Sequence, residues 1–115
     1  MISLSLVLNF VSTPQARYDM LRRTTEFLQA PEKDAVFPAL FVVLPLSCVA
    51  NSRYLTREHF LAIMTSLGYG ALEKKESKRM AYWLFHWNGQ LEEQTWEKKV
   101  IQAGGRRNNF AISNP

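Results

Sequence analysis

Apolar and small polar residues alternate along residues 2–8, and residues 40–44 form an unbroken apolar run. Both patterns predict short strands, and a continuous apolar run is typical of a strand that is covered on both faces, as in a parallel sheet. Between them, a Ser-Thr-Pro sequence at 12–14 begins a helical pattern that extends to about residue 29. The order strand, helix, strand predicts a parallel βαβ unit with its two strands side by side.

Polar residues follow both predicted strands. Asn9 and Phe10 come after the first strand, and Asn51, Arg53 and Tyr54 come after the second. Neighbouring parallel strands end on the same side of a sheet, and open α/β sheets bind ligands beyond the carboxyl ends of their strands. We therefore expect both turns at one end of the sheet, where Asn51, Arg53 and Tyr54 are binding candidates by position alone.

The next segments predict a helix, an exposed strand and an ambiguous aromatic run. Thr56 precedes an apolar stripe at positions 60, 63, 64 and 67, which Gly68 ends, so we expect a helix with Thr56 near its start. Residues 70–77 are mostly polar and predict an exposed strand. Residues 78–87 fit either a short buried helix or a central strand, and their periodicity does not choose between them.

The C-terminal half carries two further patterns. Basic doublets flank the aromatic run, as in platforms that stack single-stranded nucleic acid, but consecutive aromatic residues are more often core, and we favour core. Residues 88–95 predict a loop. Residues 96–102 and 109–113, on either side of two glycines, predict a final antiparallel strand pair.

Composition restricts the class of protein. The 115 residues suffice for one domain at most. The net charge of +4 and the basic doublets suit either phosphate contacts or an ordinary solvated surface, and we favour the surface. No stretch is apolar enough for long enough to span a bilayer, so we expect a soluble protein with no membrane partner.

Cysteine and histidine are scarce. Cys48 is the only cysteine, which excludes an internal disulfide and fits a reducing compartment. Since His59 and His86 are the only histidines, we expect Cys48 to be a buried structural thiol rather than a nucleophile. The same scarcity argues against a zinc site, and we expect no metal.

Four strings carry a resemblance to a known family. They are SLSLVLNFV at 3–11, LPLSCVANSRY at 44–54, AYWLF at 81–85 and GGRRNNF at 104–110. In this order they resemble the fungal 25S ribosomal RNA adenine-N1 methyltransferases, which are nucleolar enzymes that use S-adenosylmethionine. The resemblance implies methylation of adenine N1 in large-subunit ribosomal RNA. It also implies ribosomal RNA or a pre-ribosome as partner and the nucleolus, within the nucleus, as location.

The resemblance further implies an α/β fold, the C-terminal half of a Rossmann-like class I methyltransferase sheet, with parallel strands, crossover helices and an antiparallel C-terminal strand pair. Such domains hold the cofactor with a Gly-rich loop after the first strand and an acidic residue after the second. Neither is identifiable here, because the five glycines lie at 68, 70, 89, 104 and 105. We therefore expect residues 1–115 to be a partial domain, inactive alone. A non-catalytic module that senses S-adenosylmethionine or binds RNA is the alternative.

Site residues follow from the family's chemistry. Adenine N1 has an in-plane lone pair, so methyl transfer to it needs alignment more than a base. The resemblance implies that Phe10 stacks the extruded adenine and Asn9 bonds its Watson–Crick edge, the alternative being an Asn turn and a core Phe. Arg53 is expected to contact an RNA phosphate and Tyr54 a base or ribose, with Asn51 beside them. Their alternative is a helix-start turn in which Asn51 bonds its own backbone.

Overall fold

The computed structural model describes residues 2–29, 39–89 and 94–114. Within these ranges the strands are β1 (Ile2–Ser5), β2 (Ala39–Pro45), β3 (Tyr69–Glu76) and β4 (Met80–Trp87). The helices are α1 (Pro14–Gln29), α2 (Ser47–Ala50) and α3 (Arg57–Ser66), with a 3-10 turn at Leu8–Phe10. Most of the connection between α1 and β2, and residues 90–93 of the loop predicted at 88–95, lie outside the described residues.

The four strands form one mixed sheet in the order β1-β2-β4-β3. β1 and β2 pair in parallel, with Ile2 opposite Leu40 and Ser5 opposite Val43, which confirms the predicted parallel pair. β4 runs antiparallel to both β2 and β3. β1 and β2 consequently end on one side of the sheet, which we call the carboxyl end, and β4 begins there.

Both long helices begin and end where local sequence signals predict. The Thr13 hydroxyl accepts the Ala16 N–H at 3.1 Å at the start of α1, and the Thr56 hydroxyl accepts the His59 N–H at 3.1 Å at the start of α3. These bonds satisfy N–H groups that have no partner within a helix. Gly68 follows α3 with φ of 95°, a conformation that glycine adopts without strain. None of the described helices has the length and apolarity to cross a membrane.

The core lies between one face of the sheet and the helices α1 and α3. The Phe60 ring of α3 is 4.7 Å from the Trp83 ring of β4. On α1, the Thr24 hydroxyl shares a 2.6 Å hydrogen bond with the hydroxyl of Tyr69, whose ring is 6.0 Å from that of Phe85. Because Trp83 and Phe85 are two residues apart on β4, they point to the same face, and both helices therefore cover that face.

One open question about the C-terminal half is answered, and one expectation is wrong. The aromatic run is the strand β4 and not a helix, since alternate residues are buried and both neighbours supply ladder bonds. Residues 96–102 and 109–113 are not strands, and the antiparallel pairs of the sheet are instead β2–β4 and β3–β4. The reason is that backbone groups of residues 101, 102 and 108 bond loop residues after β2, leaving only an isolated bridge between Ser52 and Asn108.

Candidate functional site

The turn after β1 projects Phe10 into solvent at the carboxyl end of the sheet. Leu6 leaves the strand with φ of 58°, a left-handed conformation that costs a non-glycine residue about 1–3 kcal/mol. The chain then buries Leu8 completely and exposes 82% of Phe10. The alternative of a core phenylalanine at position 10 is therefore wrong. An exposed ring on a strained turn is available for stacking.

Asn9 lies half-buried in the same turn. Its side-chain oxygen Oδ1 is buried and has no hydrogen-bond partner among the described residues. Leaving a buried acceptor unpaired costs about 1–3 kcal/mol, so native proteins usually supply a donor. The Asn9 amide therefore has bonding capacity to offer a ligand or another segment.

The turn after β2 (residues 51–54, which follow the short helix α2) forms hydrogen bonds with the C-terminal part of the chain. Asn51 donates from Nδ2 to the Arg106 carbonyl at 3.1 Å and accepts from the Arg107 guanidinium at 3.5 Å. Its carbonyl accepts the Asn108 N–H at 2.9 Å. The Asn51 side chain thus bonds the C-terminal segment (residues 94–114) rather than its own backbone, contrary to the alternative weighed from the sequence.

Arg53 and Tyr54 also meet the C-terminal segment. The Arg53 guanidinium donates to the side-chain oxygen of Asn109, and the Arg53 carbonyl accepts the Gln102 N–H at 3.1 Å. The Lys98 ammonium lies 4.6 Å from the centre of the Tyr54 ring, within the range of a cation–π contact. A cationic group therefore lies against Tyr54, whereas the Arg53 partners are neutral. The RNA-binding roles of both residues remain predictions.

Ser52 is a residue that the sequence analysis missed. It is fully buried, and its hydroxyl donates to the Phe110 carbonyl and accepts the Tyr54 N–H at 3.1 Å. In the second bond the serine hydroxyl accepts the backbone N–H two residues later in the chain. This is a local motif that the sequence alone could have suggested. The first bond fixes the turn after β2 against the C-terminal segment.

Arg17 was missed as well, and it connects the two turns. Arg17 lies on α1. Its Nε donates to the Val11 carbonyl at 3.0 Å, and its Nη1 donates to the Ala111 carbonyl at 2.8 Å. Its guanidinium carbon lies 4.3 Å from the centre of the Phe110 ring. Since Val11 follows Phe10 directly and Phe110 bonds Ser52, one side chain and the C-terminal segment link both predicted site turns.

Cys48 does not supply a nucleophile. Its side chain is buried, with 7% of the residue exposed, which confirms the expected structural thiol. Burial raises its pKa to about 11, and the Arg17 charge only partly opposes that shift, so the thiol stays protonated at neutral pH. Across residues 2–29, 39–89 and 94–114, no three His, Cys, Asp or Glu residues are grouped so as to hold a metal ion.

The described residues do not fit a site for S-adenosylmethionine. A cofactor cradle in this type of fold needs glycines directly after an early parallel strand. Gly68 instead follows α3, and Gly89 follows β4. At Gly104, an added Cβ would stand 3.2 Å from the Arg107 side chain, so this glycine accommodates a neighbouring side chain of the chain itself. Within the described ranges no glycine follows β1 or β2.

Comparisons with known proteins agree on one family. A family model described as "Bmt2: 25S rRNA (adenine(2142)-N(1))-methyltransferase" matches residues 1–112. A Schizosaccharomyces pombe protein named 25S rRNA adenine-N(1) methyltransferase is 41% identical over 96% of this chain and 41% of its own length. A Saccharomyces cerevisiae protein named 25S rRNA (adenine(2142)-N(1))-methyltransferase is 31% identical over 98% of this chain and 32% of its own length.

The chain thus spans less than half the length of either relative. No solved structure matches it significantly. The family model nevertheless covers almost every residue, including both turns at the carboxyl end of the sheet and the C-terminal segment. The chain therefore belongs to the 25S rRNA (adenine(2142)-N(1))-methyltransferase family.

Proposed function

We propose that this chain forms the substrate-holding part of an S-adenosylmethionine-dependent methyltransferase that modifies adenine N1 in large-subunit ribosomal RNA. The observation that carries the proposal is the pairing of an exposed Phe10 with a half-buried Asn9 whose Oδ1 has no partner in the described structure. The names of the two yeast relatives support the same reaction. A ribosomal RNA substrate also supports a nuclear, nucleolar location.

Phe10 and Asn9 are proposed to contact different parts of the base. An extruded adenine needs a flat surface against its ring and polar groups at its Watson–Crick edge. The exposed Phe10 ring provides the surface. On this proposal the Asn9 side chain turns outward when the base binds, because its Oδ1 is buried in the free chain, and this oxygen then accepts from the adenine amino group.

The turn after β2 provides contacts beyond the target base. Arg53 is proposed to bind a phosphate and Tyr54 to contact a base or ribose, as cationic and aromatic side chains do in RNA interfaces. Asn51, whose amide bonds Arg106 and Arg107, holds this turn to the C-terminal segment. Its part in RNA binding is therefore to position Arg53 and Tyr54.

The proposed whole enzyme carries its cofactor site outside these residues. β1 is an outermost strand of the sheet, and an outermost strand can pair with further strands. A Rossmann-like sheet continued beyond β1 would supply the glycine-rich loop that is missing among the described residues. On this proposal residues 1–115 are a partial methyltransferase domain and do not methylate RNA alone.

A chimeric enzyme tests the proposal. The matching segment of the S. pombe relative is replaced by this chain, and methylation of 25S ribosomal RNA and binding of S-adenosylmethionine are both measured. Asn9→Ala should lower methylation on the order of 100-fold, because misplacing a reacting atom by about an ångström has such an effect, and should leave cofactor binding intact. Unchanged turnover would remove Asn9 from the site.

Asn88→Ala is the matched control. Asn88 follows β4 at the opposite end of the sheet, where its N–H bonds the Gly68 carbonyl at 2.8 Å. The substitution removes the same side-chain amide away from the proposed site, so methylation should stay near the unsubstituted level.

A non-catalytic RNA-binding module is the second candidate. The absence of a glycine-rich cofactor loop from the described residues and the Lys98 ammonium against the Tyr54 ring favour it. The chimera separates the two candidates. A folded chimera that binds S-adenosylmethionine and RNA but leaves adenine unmethylated would support the binding module.

A further inference from the structure

The β3–β4 hairpin brings a basic turn to the carboxyl end of the sheet. Because β4 is antiparallel to β2, its first residue, Met80, lies opposite Pro45, the last residue of β2. The turn before it is held in place by the Leu46 N–H, which donates to the Arg79 carbonyl at 2.7 Å. Lys78 and Arg79 therefore lie on the side of the sheet where the turns after β1 and β2 emerge.

These two cations have no acidic partner among the residues that the structure describes. Lys78 and Arg79 are exposed, and neither is within ion-pair distance of a carboxylate among the described residues. By contrast, Lys74 and Arg57 nearby both pair with Glu76. Unpaired exposed cations keep their full charge for an external anion.

A hollow of about 440 Å³ separates the hairpin turn from α2. Lys78 and Arg79 line one side, and Leu46, Ser47 and Ala50 line the other. No carboxylate is among the described residues that line this hollow. A phosphate group that entered it would meet two positive side chains and a serine hydroxyl without facing an opposing negative charge.

The spacing across the sheet suits a single strand of RNA. β1, β2 and β4 are consecutive neighbours, so the end of β1 and the start of β4 are about 10 Å apart at two strand spacings. An RNA strand with one base at Phe10 would carry its backbone past β2 toward the hairpin turn.

We propose that Lys78 and Arg79 bind the phosphate backbone of the RNA strand whose target base lies at Asn9 and Phe10. The proposal rests on the proposed function and adds to it the surface that receives the RNA next to the modified nucleotide. Arg79 contributes a forked guanidinium that can bond two phosphate oxygens, and Lys78 contributes a point charge. Neither residue is needed to hold the cofactor or the base.

The test measures binding of this 115-residue chain to a fluorescein-labelled, unstructured single-stranded RNA of about 20 nucleotides by anisotropy, between 50 and 200 mM NaCl. Each phosphate contact to a single strand contributes about 0.7 to the slope of log K against log salt. The double variant Lys78→Ala, Arg79→Ala should therefore reduce the slope by about 1.4 and weaken binding on the order of tenfold at 0.1 M salt.

The double variant Arg22→Gln, Arg23→Gln is the matched control. It removes the same charge from α1, where Arg22 pairs with Glu26 and Arg23 pairs with Asp19. Equal losses of slope in both variants, or no RNA binding by the unsubstituted chain, would overturn the proposal. Binding of inorganic phosphate that the Lys78→Ala, Arg79→Ala variant abolishes, with RNA binding unaffected by the same variant, would also overturn it, because the hollow would then be a site for free anions only.

Failure of the proposed RNA surface can be distinguished from failure of the proposed methyltransferase function. If the chimera does not methylate adenine while the hairpin variant still lowers the salt slope selectively, the methyltransferase proposal fails and the RNA surface stands. If the chimera methylates adenine and the hairpin variant has the same salt slope as the control variant, the methyltransferase proposal stands and the proposed RNA surface fails.

Discussion

Arg17 stabilises the candidate site by joining segments that are distant in the chain. Its two donors bond the carbonyl groups of Val11 and Ala111, and its guanidinium covers the Phe110 ring. A planar guanidinium presents several donors in one rigid fork, whereas lysine has a single ammonium on a flexible stem. The arrangement therefore requires arginine rather than any cation.

Arg17→Lys should lower the free energy of unfolding by about 1–3 kcal/mol, because at least one carbonyl in a partly buried setting loses its partner. Urea denaturation monitored by fluorescence measures the change. Arg23→Lys is the control, because Arg23 is exposed and its ion-pair partner among the described residues is Asp19 on its own helix, and its effect should stay within about 0.5 kcal/mol. Similar losses for both substitutions would contradict the linking role of Arg17.

His59 makes stability depend on pH. Its ring is half-buried and lies 5.2 Å from the Trp96 ring. Burial, and secondly the charge of Lys99, lowers its pKa below the usual 6.5. The folded state then binds a proton less readily than the unfolded state, so the stabilisation present above pH 6.5 is lost as the pH falls below that value toward the folded-state pKa.

The expected result is a fall in the urea midpoint between pH 7 and pH 5.5 that His59→Gln reduces. Lys99→Gln should reduce it in part, since that variant removes the secondary cause of the shift. A midpoint that rises on acidification over this range would contradict the assigned direction of the pKa shift.

At the scale of elements, β4 is the strand on which the core is assembled. It pairs with β2 and β3 and turns Ala81, Trp83 and Phe85 toward the helices. If residues 80–87 formed a helix, these three side chains would point in different directions around the helix axis and could not all face α1 and α3. Neighbouring strands decide the outcome, because β2 and β3 supply hydrogen-bond partners for the backbone of this apolar segment on both sides.

Trp83→Ala should destabilise the fold by about 3–5 kcal/mol, because it removes a fully buried ring that contacts Phe60 and leaves a cavity. Thermal and urea unfolding measure the loss. Leu72→Ala is the control within the same sheet, since Leu72 on β3 is 50% exposed, and its effect should be small. A large effect at Leu72 would indicate that a further element covers that side.

The C-terminal segment stabilises the fold without being part of the sheet. The Trp96 indole donates to the Ser66 hydroxyl at 3.2 Å, and Phe110 and Ile112 are buried in the core. The Ser113 N–H bonds the Pro14 carbonyl at 3.2 Å at the start of α1. Its apolar residues suggested strands because burial against loops and helix ends selects the same residue types as burial in a sheet.

At the scale of the whole molecule, we propose that the described residues provide surfaces for a base and for RNA phosphates, and they contain no glycine-rich loop after β1 or β2 for a nucleotide cofactor. The relatives are more than twice as long, and the chain matches less than half of each. On the proposed function, base holding and cofactor holding are therefore separated between two parts of one domain.

We expect the 115-residue chain to show no binding of S-adenosylmethionine in the micromolar range by isothermal titration calorimetry. The physical reason is that no described backbone segment after β1 or β2 offers the glycine-rich approach that such cofactors need. The complete S. pombe relative, measured under the same conditions, is the control. Micromolar binding by the isolated chain would place a cofactor site among residues 1–115.

Local patterns were sufficient for the first half of the fold. The alternation at β1, the apolar run at β2, the Ser-Thr-Pro start of α1 and the Thr56 start of α3 each lie within a few consecutive residues. Steric and hydrogen-bonding preferences act over such short spans, so the sequence alone predicts these elements and the parallel pair between the first two strands. It also indicated the two turns that frame the candidate site.

Tertiary contacts decided the rest. Arg17 meets Ala111 across 94 positions, and Ser52 meets Phe110 across 58, so no local pattern marks either residue as a connector. Likewise, residues 80–87 form a strand because β2 and β3 pair with them on both sides. In the turn after β1, Leu8 is buried in the core and Phe10 is exposed. The resemblance of four sequence strings indicated the family, and the order of the predicted strands indicated the end of the sheet where chemistry is expected. Only the folded chain determined which side chains hold that end together and which remain exposed for a ligand, because those contacts form between segments far apart in sequence.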